Sequence, residues 1–131
     1  MRVNQEQEFV IGGYTVGGST FDALIFGYYE GKKLIYAGRT RGGFTPRLRE
    51  DLMKKFRPLE TPECPFANLP EAKSGRWGAG LTATKMNDCR WLKPMLVGRF
   101  EYVEWTPDNH LRHPRFVGLR EGRKARDIAR A

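Results

Sequence analysis

The chemistry-bearing residues of this chain gather toward its C-terminal end. Arg112, Arg115, Arg120, Arg123, Lys124, Arg126 and Arg130 fall in the last twenty residues, against only Glu121 and Asp127. Up to Lys124 these cations interleave with His113, Pro114, Phe116, Val117 and Leu119. A solvated tail has no use for apolar anchors at that spacing. A strand that delivers cations at fixed positions does need them, and phosphate oxygens are what such cations bind. Past Asp127 the sequence reads instead as a solvated, partly disordered tail, and the basic tail as a whole covers about residues 121–131.

A second basic spot surrounds Gly42-Gly43, with Arg39, Arg41 and Arg47 nearby. Glycine lets backbone N–H groups approach a phosphate closely, and a helix start just downstream adds a positive dipole end. The alternative is an ordinary barrel loop whose glycines serve only tight turning. The spot is not a nucleotide-binding P-loop, which needs Lys-Ser/Thr after its second glycine. Arg76 and Trp77 form a third candidate, a cation beside a ring that could stack on a base or sugar. Trp91, between Arg90 and Leu92, reads as core, and Trp105 as structural. Cys64 and Cys89 are isolated thiols, and His110 and His113 stand beside a turn without a ligand cluster, so no metal site is expected.

The chain has 131 residues, the size of one domain, and Lys and Arg exceed Asp and Glu to leave a net charge of +8. That balance favours an anionic partner, most often nucleic acid. Runs such as Ala23-Leu24-Ile25-Phe26 fall far short of the ~20 apolar residues that cross a bilayer, and Met1–Gln7 lack the apolar core of a signal peptide, so secretion is not expected. A cytoplasmic protein with no membrane partner is expected.

The elements that must position these residues are short strands. Residues 8–16 read as the first, with Gly12-Gly13 marking a bulge or sharp bend. Phe21–Tyr29 and Leu34–Arg39 form a hairpin about Gly31. Thr45 caps a helix whose Pro46 suits the first turn, whose Leu48, Leu52 and Phe56 share one face, and which Pro58 stops. Glu50 and Asp51 are placed toward its positive end, Lys54, Lys55 and Arg57 toward its negative end. Prolines at 58, 62, 65 and 70 describe a surface crossing, from which Phe66 tucks into the core. Leu96–Trp105 is the fourth strand, with Leu96, Phe100 and Tyr102 on one face and Val97, Arg99 and Glu101 on the other; Leu111–Leu119 is the last. The expected architecture is all-β: a five-stranded Greek-key barrel of the OB type, one domain over residues 1–131, with one helix between strands 3 and 4. An SH3-like barrel would give much the same pattern.

The segment Leu111-Arg112-His113-Pro114-Arg115-Phe116-Val117-Gly118-Leu119-Arg120-Glu121 resembles the closing motif of bacterial ATP-dependent DNA ligases, and most of all the ligase module of end-joining repair ligases. Gln7–Thr15, Gly27-Tyr28-Tyr29, Tyr36–Arg39, Gly43-Phe44, Ser74–Trp77, Arg90-Trp91 and Phe100–Thr106 agree in the same order, so the likeness spans almost the whole chain.

The resemblance implies the C-terminal OB domain of such a ligase, which grips nicked duplex DNA and assists nucleotidyl transfer. The Lys-x-Asp-Gly motif of the preceding nucleotidyltransferase domain is absent, because the chain has no Asp-Gly pair. Alone it is therefore not expected to form the lysyl-AMP intermediate. It is expected to be a piece of such a ligase or an independent binding module, and by itself to hold no cofactor; ATP and magnesium are implied for the full enzyme. By position Arg120 matches the leading arginine of the family's Arg-x-Asp-Lys segment, Gly122 stands where that segment has Asp, Arg123 stands where it has Lys, and Lys124 follows. Arg120, Arg123 and Lys124 are the implied catalytic assistants. Arg39, Arg41, Gly42, Gly43, Arg112, Arg115, Arg76 and Trp77 are the implied DNA contacts. The competing expectations are a stand-alone, non-enzymatic module for single-stranded nucleic acid, and a protein-interaction domain.

Overall fold

The computed structural model describes residues 5–17, 20–69, 86–107 and 109–130. Arg76 and Trp77 lie outside the described residues. Eight strands and one α-helix are seen among those described: β1 (Gln5–Val16), β2 (Phe21–Glu30), β3 (Lys33–Thr40), α1 (Pro46–Phe56), β4 (Glu60–Thr61), β5 (Cys89–Tyr102), β6 (Glu104–Trp105), β7 (Leu111–Arg112) and β8 (Arg115–Leu119).

The main sheet runs β3-β2-β1-β5-β4, and β8 adds to β5; all its pairings are antiparallel. β1, β2, β3, β5 and β8 fall where strands are expected, with α1 between the third and fourth; β4 makes the described sheet six-stranded, and β6 and β7 form a separate ribbon. The sheet curls until the start of β8 meets the residues after β3. There the Thr40 hydroxyl donates to the Pro114 carbonyl at 2.5 Å, and the Phe116 N–H donates to the Gly42 carbonyl at 3.0 Å. The register slips between Ile11 and Gly13 against both neighbouring strands, so the glycine pair is the bulge that bends β1.

Inside the barrel, aromatic rings supply most of the volume. Phe26 stacks on Phe100 at 4.2 Å, Phe9 packs against both, and Phe44 stacks on Phe116 at 5.1 Å. Each fully buried ring of this kind contributes on the order of 1.5–3 kcal/mol. Helix α1 plugs one end with Leu52 and Phe56, the second stacked on Tyr14 at 5.7 Å. Thr45 caps it by accepting from the Leu48 N–H, and Pro46 opens it. Glu50 and Asp51 fall beyond the first turn, so the helix dipole is complemented only at its other end, by Lys54 and Lys55. Phe66 closes the outer side of the sheet beneath Gly12 and Gly27, edge-on to Tyr36 and Trp91.

Two expectations need correction. Leu111–Leu119 is not one strand. His113 adopts a left-handed φ of +52° and Pro114 follows it, so the ladder breaks; Leu111–Arg112 pairs with Glu104–Trp105 in a separate ribbon, and only Arg115–Leu119 joins the barrel. The residues past Asp127 are not a loose tail either. Ile128 is buried, its carbonyl accepts from the Tyr29 N–H at 2.7 Å, and the Ala129 carbonyl accepts from the Gln7 amide at 3.2 Å. Arg130 lies over the Trp105 ring at 4.2 Å and donates to the Asn109 side chain at 2.9 Å. The segment is a strap across the barrel, started by a 3-10 turn at Ala125–Asp127.

Candidate nucleic-acid interface

Strand β8 carries Arg115 and leads into Arg120 and Arg123, and its register on β5 sets where they leave the barrel. Phe100 lies opposite Phe116, both buried, whereas Arg115 lies opposite Glu101 and is exposed. One residue, Val117, has no partner on β5 and stands exposed. Phe116 thus anchors the strand while Arg115 sits at its start and Arg120 just past its end, roughly 15 Å apart at the rise of a strand.

The Arg120 N–H donates to the Val97 carbonyl at 2.8 Å, which fixes where its side chain leaves the barrel. Its guanidinium leans over β1, with Nε 3.6 Å from Oε2 of Glu8. Glu121 and Gly122 then form a turn, and Gly122 takes φ +77°, the left-handed geometry glycine adopts without cost. The turn brings Arg123 back, its Nε 3.8 Å from the same Glu8 oxygen. The two arginines therefore converge on one carboxylate. Both keep about half of their side-chain surface in water, 56% and 44%, so part of each guanidinium stays open to a polyanion while its Nε faces Glu8. Beside them Arg99 holds Glu6 through two nitrogens, at 2.5 and 2.7 Å. Glu6, Gln7, Glu8, Arg99 and Arg120 line one open cleft. Lys124 is exposed and leads into the 3-10 turn.

At the other end of β8, Arg115 meets the loop after β3. Arg41 is exposed there and paired with Asp22 at 3.0 Å. The Gly42 N–H is already engaged, donating to the Thr40 hydroxyl at 3.1 Å. Gly42 thus serves the seam with β8, and Arg41 and Arg115 stand exposed beside it. Arg39 is half-buried on β3 and close enough to Cys89 to act on its thiol. Arg112 is half-buried in the β6–β7 ribbon, 2.7 Å from Glu104. The structure therefore brings together Arg120 with Arg123, and Arg41 with Gly42, Gly43 and Arg115; Arg39 and Arg112 belong to neither group.

Three participants escaped the sequence reading. Arg99 faces outward on β5, as its alternation with Phe100 signals. Glu8 reaches the arginines from a strand more than a hundred residues away in sequence, and no local pattern reports that. Arg49 donates to the carbonyls of Phe21, Asp22 and Arg41 at 2.6–3.3 Å, with its guanidinium 5.1 and 5.0 Å from the Phe21 and Phe44 rings; it ties the Arg41 loop to β2. No group of three metal-ligating side chains is present among the described residues. His110 is buried edge-on to Tyr36 at 5.2 Å. No helix among the described residues is long and apolar enough to cross a membrane.

A barrel of this topology, with converging arginines just after its last strand, matches the family model of the ATP dependent DNA ligase C terminal region over residues 17–123. The chain belongs to that family. It is 33% identical over 128 residues to the multifunctional non-homologous end joining protein LigD of Mycobacterium bovis, and 28% identical over 134 residues to LigD of Pseudomonas aeruginosa. The matches cover 95% and 98% of this chain but 15% of each relative, so this ligase C-terminal region spans about a seventh of the curated relatives. The ligase domain of Mycobacterium tuberculosis LigD superposes with a TM-score of 0.83 at 32% identity, over 98% of this chain and 39% of that one. A mycobacterial DNA ligase D complexed with ATP and MES gives 0.78 at 32% identity, over 97% and 38%. Those likenesses bear out an OB-type ligase C-terminal region over the SH3-like alternative.

Proposed function

We propose that residues 1–131 form a single OB-fold domain that clamps nicked duplex DNA for an ATP-dependent end-joining ligase in the bacterial cytoplasm. The nucleotidyltransferase domain that carries the adenylated lysine works with it, in cis or in trans. The observation that carries this reading is the convergence of Arg120 and Arg123 beside an open cleft, with Arg41 and Arg115 a strand's length away. Cations set at both ends of a strand suit a run of phosphates better than a single small anion.

The same residues fit the triphosphate of ATP. Arg120, Arg123 and Lys124 would face its phosphates and offset the charge that develops on pyrophosphate as it leaves, since phosphoryl transfer gains chiefly from positioned positive charge. ATP supplies the adenylyl group for that step. A divalent metal such as magnesium would take its ligands from the phosphates and the catalytic domain, because the described residues offer no cluster for it.

Titrating nicked duplex, intact duplex and single strand at several salt concentrations tests the clamp. With about five phosphates neutralised, log K for duplex should fall with log salt at a slope near −4.5, and Arg120→Ala should make the slope shallower by about 0.9. In a reconstituted two-domain enzyme, Arg120→Ala should slow adenylation. Preference for single strands would instead make the chain a single-strand-binding module, and no binding to any of the three would make it a protein-docking domain.

A further inference from the structure

We propose that Glu8 is the positioning residue of the Arg120–Arg123 pair: one carboxylate, fixed on the central strand β1, holds two guanidinium groups of the loop after β8 converged on the place where a phosphate binds. The role of that place rests on the function proposed above; the holding of the arginines does not.

Three observations support it. Glu8 sits on the strand that pairs with both β2 and β5, and the next residue, Phe9, is fully buried, so its backbone is among the most firmly held in the barrel. Arg120 and Arg123, in contrast, flank the Glu121–Gly122 turn beyond the last strand. Oε2 of Glu8 is covered from solvent and has no hydrogen-bond partner among the described residues, yet the Nε atoms of both arginines stand 3.6 and 3.8 Å from it. Two like charges brought this close repel, and the carboxylate beneath them offsets that repulsion. The Nε atoms face Glu8, and both side chains stay about half exposed, so the terminal amino groups that grip phosphate in two-pronged fashion remain for a ligand.

The test turns on sign. Glu8→Gln removes one negative charge, so net charge alone would tighten DNA binding. Loss of positioning should weaken nicked-duplex binding several-fold instead. Glu121→Gln, the same charge change beside the pair on an exposed residue, should tighten it slightly. Glu8→Asp keeps the charge but retracts it by one methylene, and should weaken binding as Glu8→Gln does. In an Arg120→Ala/Arg123→Ala background, Glu8→Gln should lose its weakening effect. In the DNA-free protein, NMR order parameters of the arginine Nε–H groups should fall from ordered values to below about 0.6 in Glu8→Gln. Unchanged order parameters, or Glu8→Gln tightening duplex as Glu121→Gln does, would overturn the proposal. Wild-type protein that binds no DNA would overturn the function above while leaving the NMR result to judge Glu8.

Discussion

The backbone carbonyl of Phe116 occupies the space that a side chain on Gly43 would need. An ideal Cβ there would stand 2.0 Å from the Phe116 oxygen, and Gly43 already holds φ +94°. The seam that closes the barrel is thus sealed by backbone lying against backbone, and glycine is the residue type that permits it.

Gly43→Ala should therefore destabilise the fold by at least about 2 kcal/mol, a fall in Tm of roughly 8 °C. Gly31→Ala, at φ +64° with nothing within 4 Å of its Cβ, should cost about half as much. Thermal unfolding of the two variants checks this; equal shifts would show that positive φ, rather than the seam, sets the cost.

Ile128 tests the strap. It is only 3% exposed, in a segment whose composition resembles a solvated tail. Ile128→Ala should cost about 2 kcal/mol in denaturant unfolding, against less than about 0.5 kcal/mol for a residue on a free tail.

Tyr14 donates its hydroxyl to Glu60, and burial, joined by that bond and the Glu60 charge, pushes its pKa from 10.0 up to about 12. The native state keeps this proton where the unfolded chain has lost it. The resulting stability is fully present below pH 10 and is lost as pH rises toward 12. Tyr14→Phe should flatten the decline of stability across that window, measured as the difference between wild type and variant. Parallel curves would contradict the shift.

Cys89 should resist alkylation. Burial pushes its thiol to about 11, with Arg39 offsetting part of that rise, and the thiolate is the reactive form. Burial also raises Cys64, which is less enclosed. Peptide mapping after iodoacetamide near neutral pH should find Cys89 unlabelled in the native protein and labelled after unfolding.

What the sequence determined by itself is local. The Thr45-Pro46 start and the Leu48–Leu52–Phe56 spacing specify α1, the Gly12-Gly13 pair specifies the bulge in β1, and Gly31 specifies the hairpin turn, because capping, proline geometry and positive φ act within a few residues. The Arg120–Arg123 spacing was likewise legible as a cation cluster. Tertiary structure alone decided the rest. It engaged the Gly42 carbonyl in the seam with Phe116, drew Ile128 into the core, and set Glu8 beneath two arginines. Each of these depends on contacts between strands far apart in the chain, whose register comes from how the whole sheet curls and closes rather than from the residue types at either end.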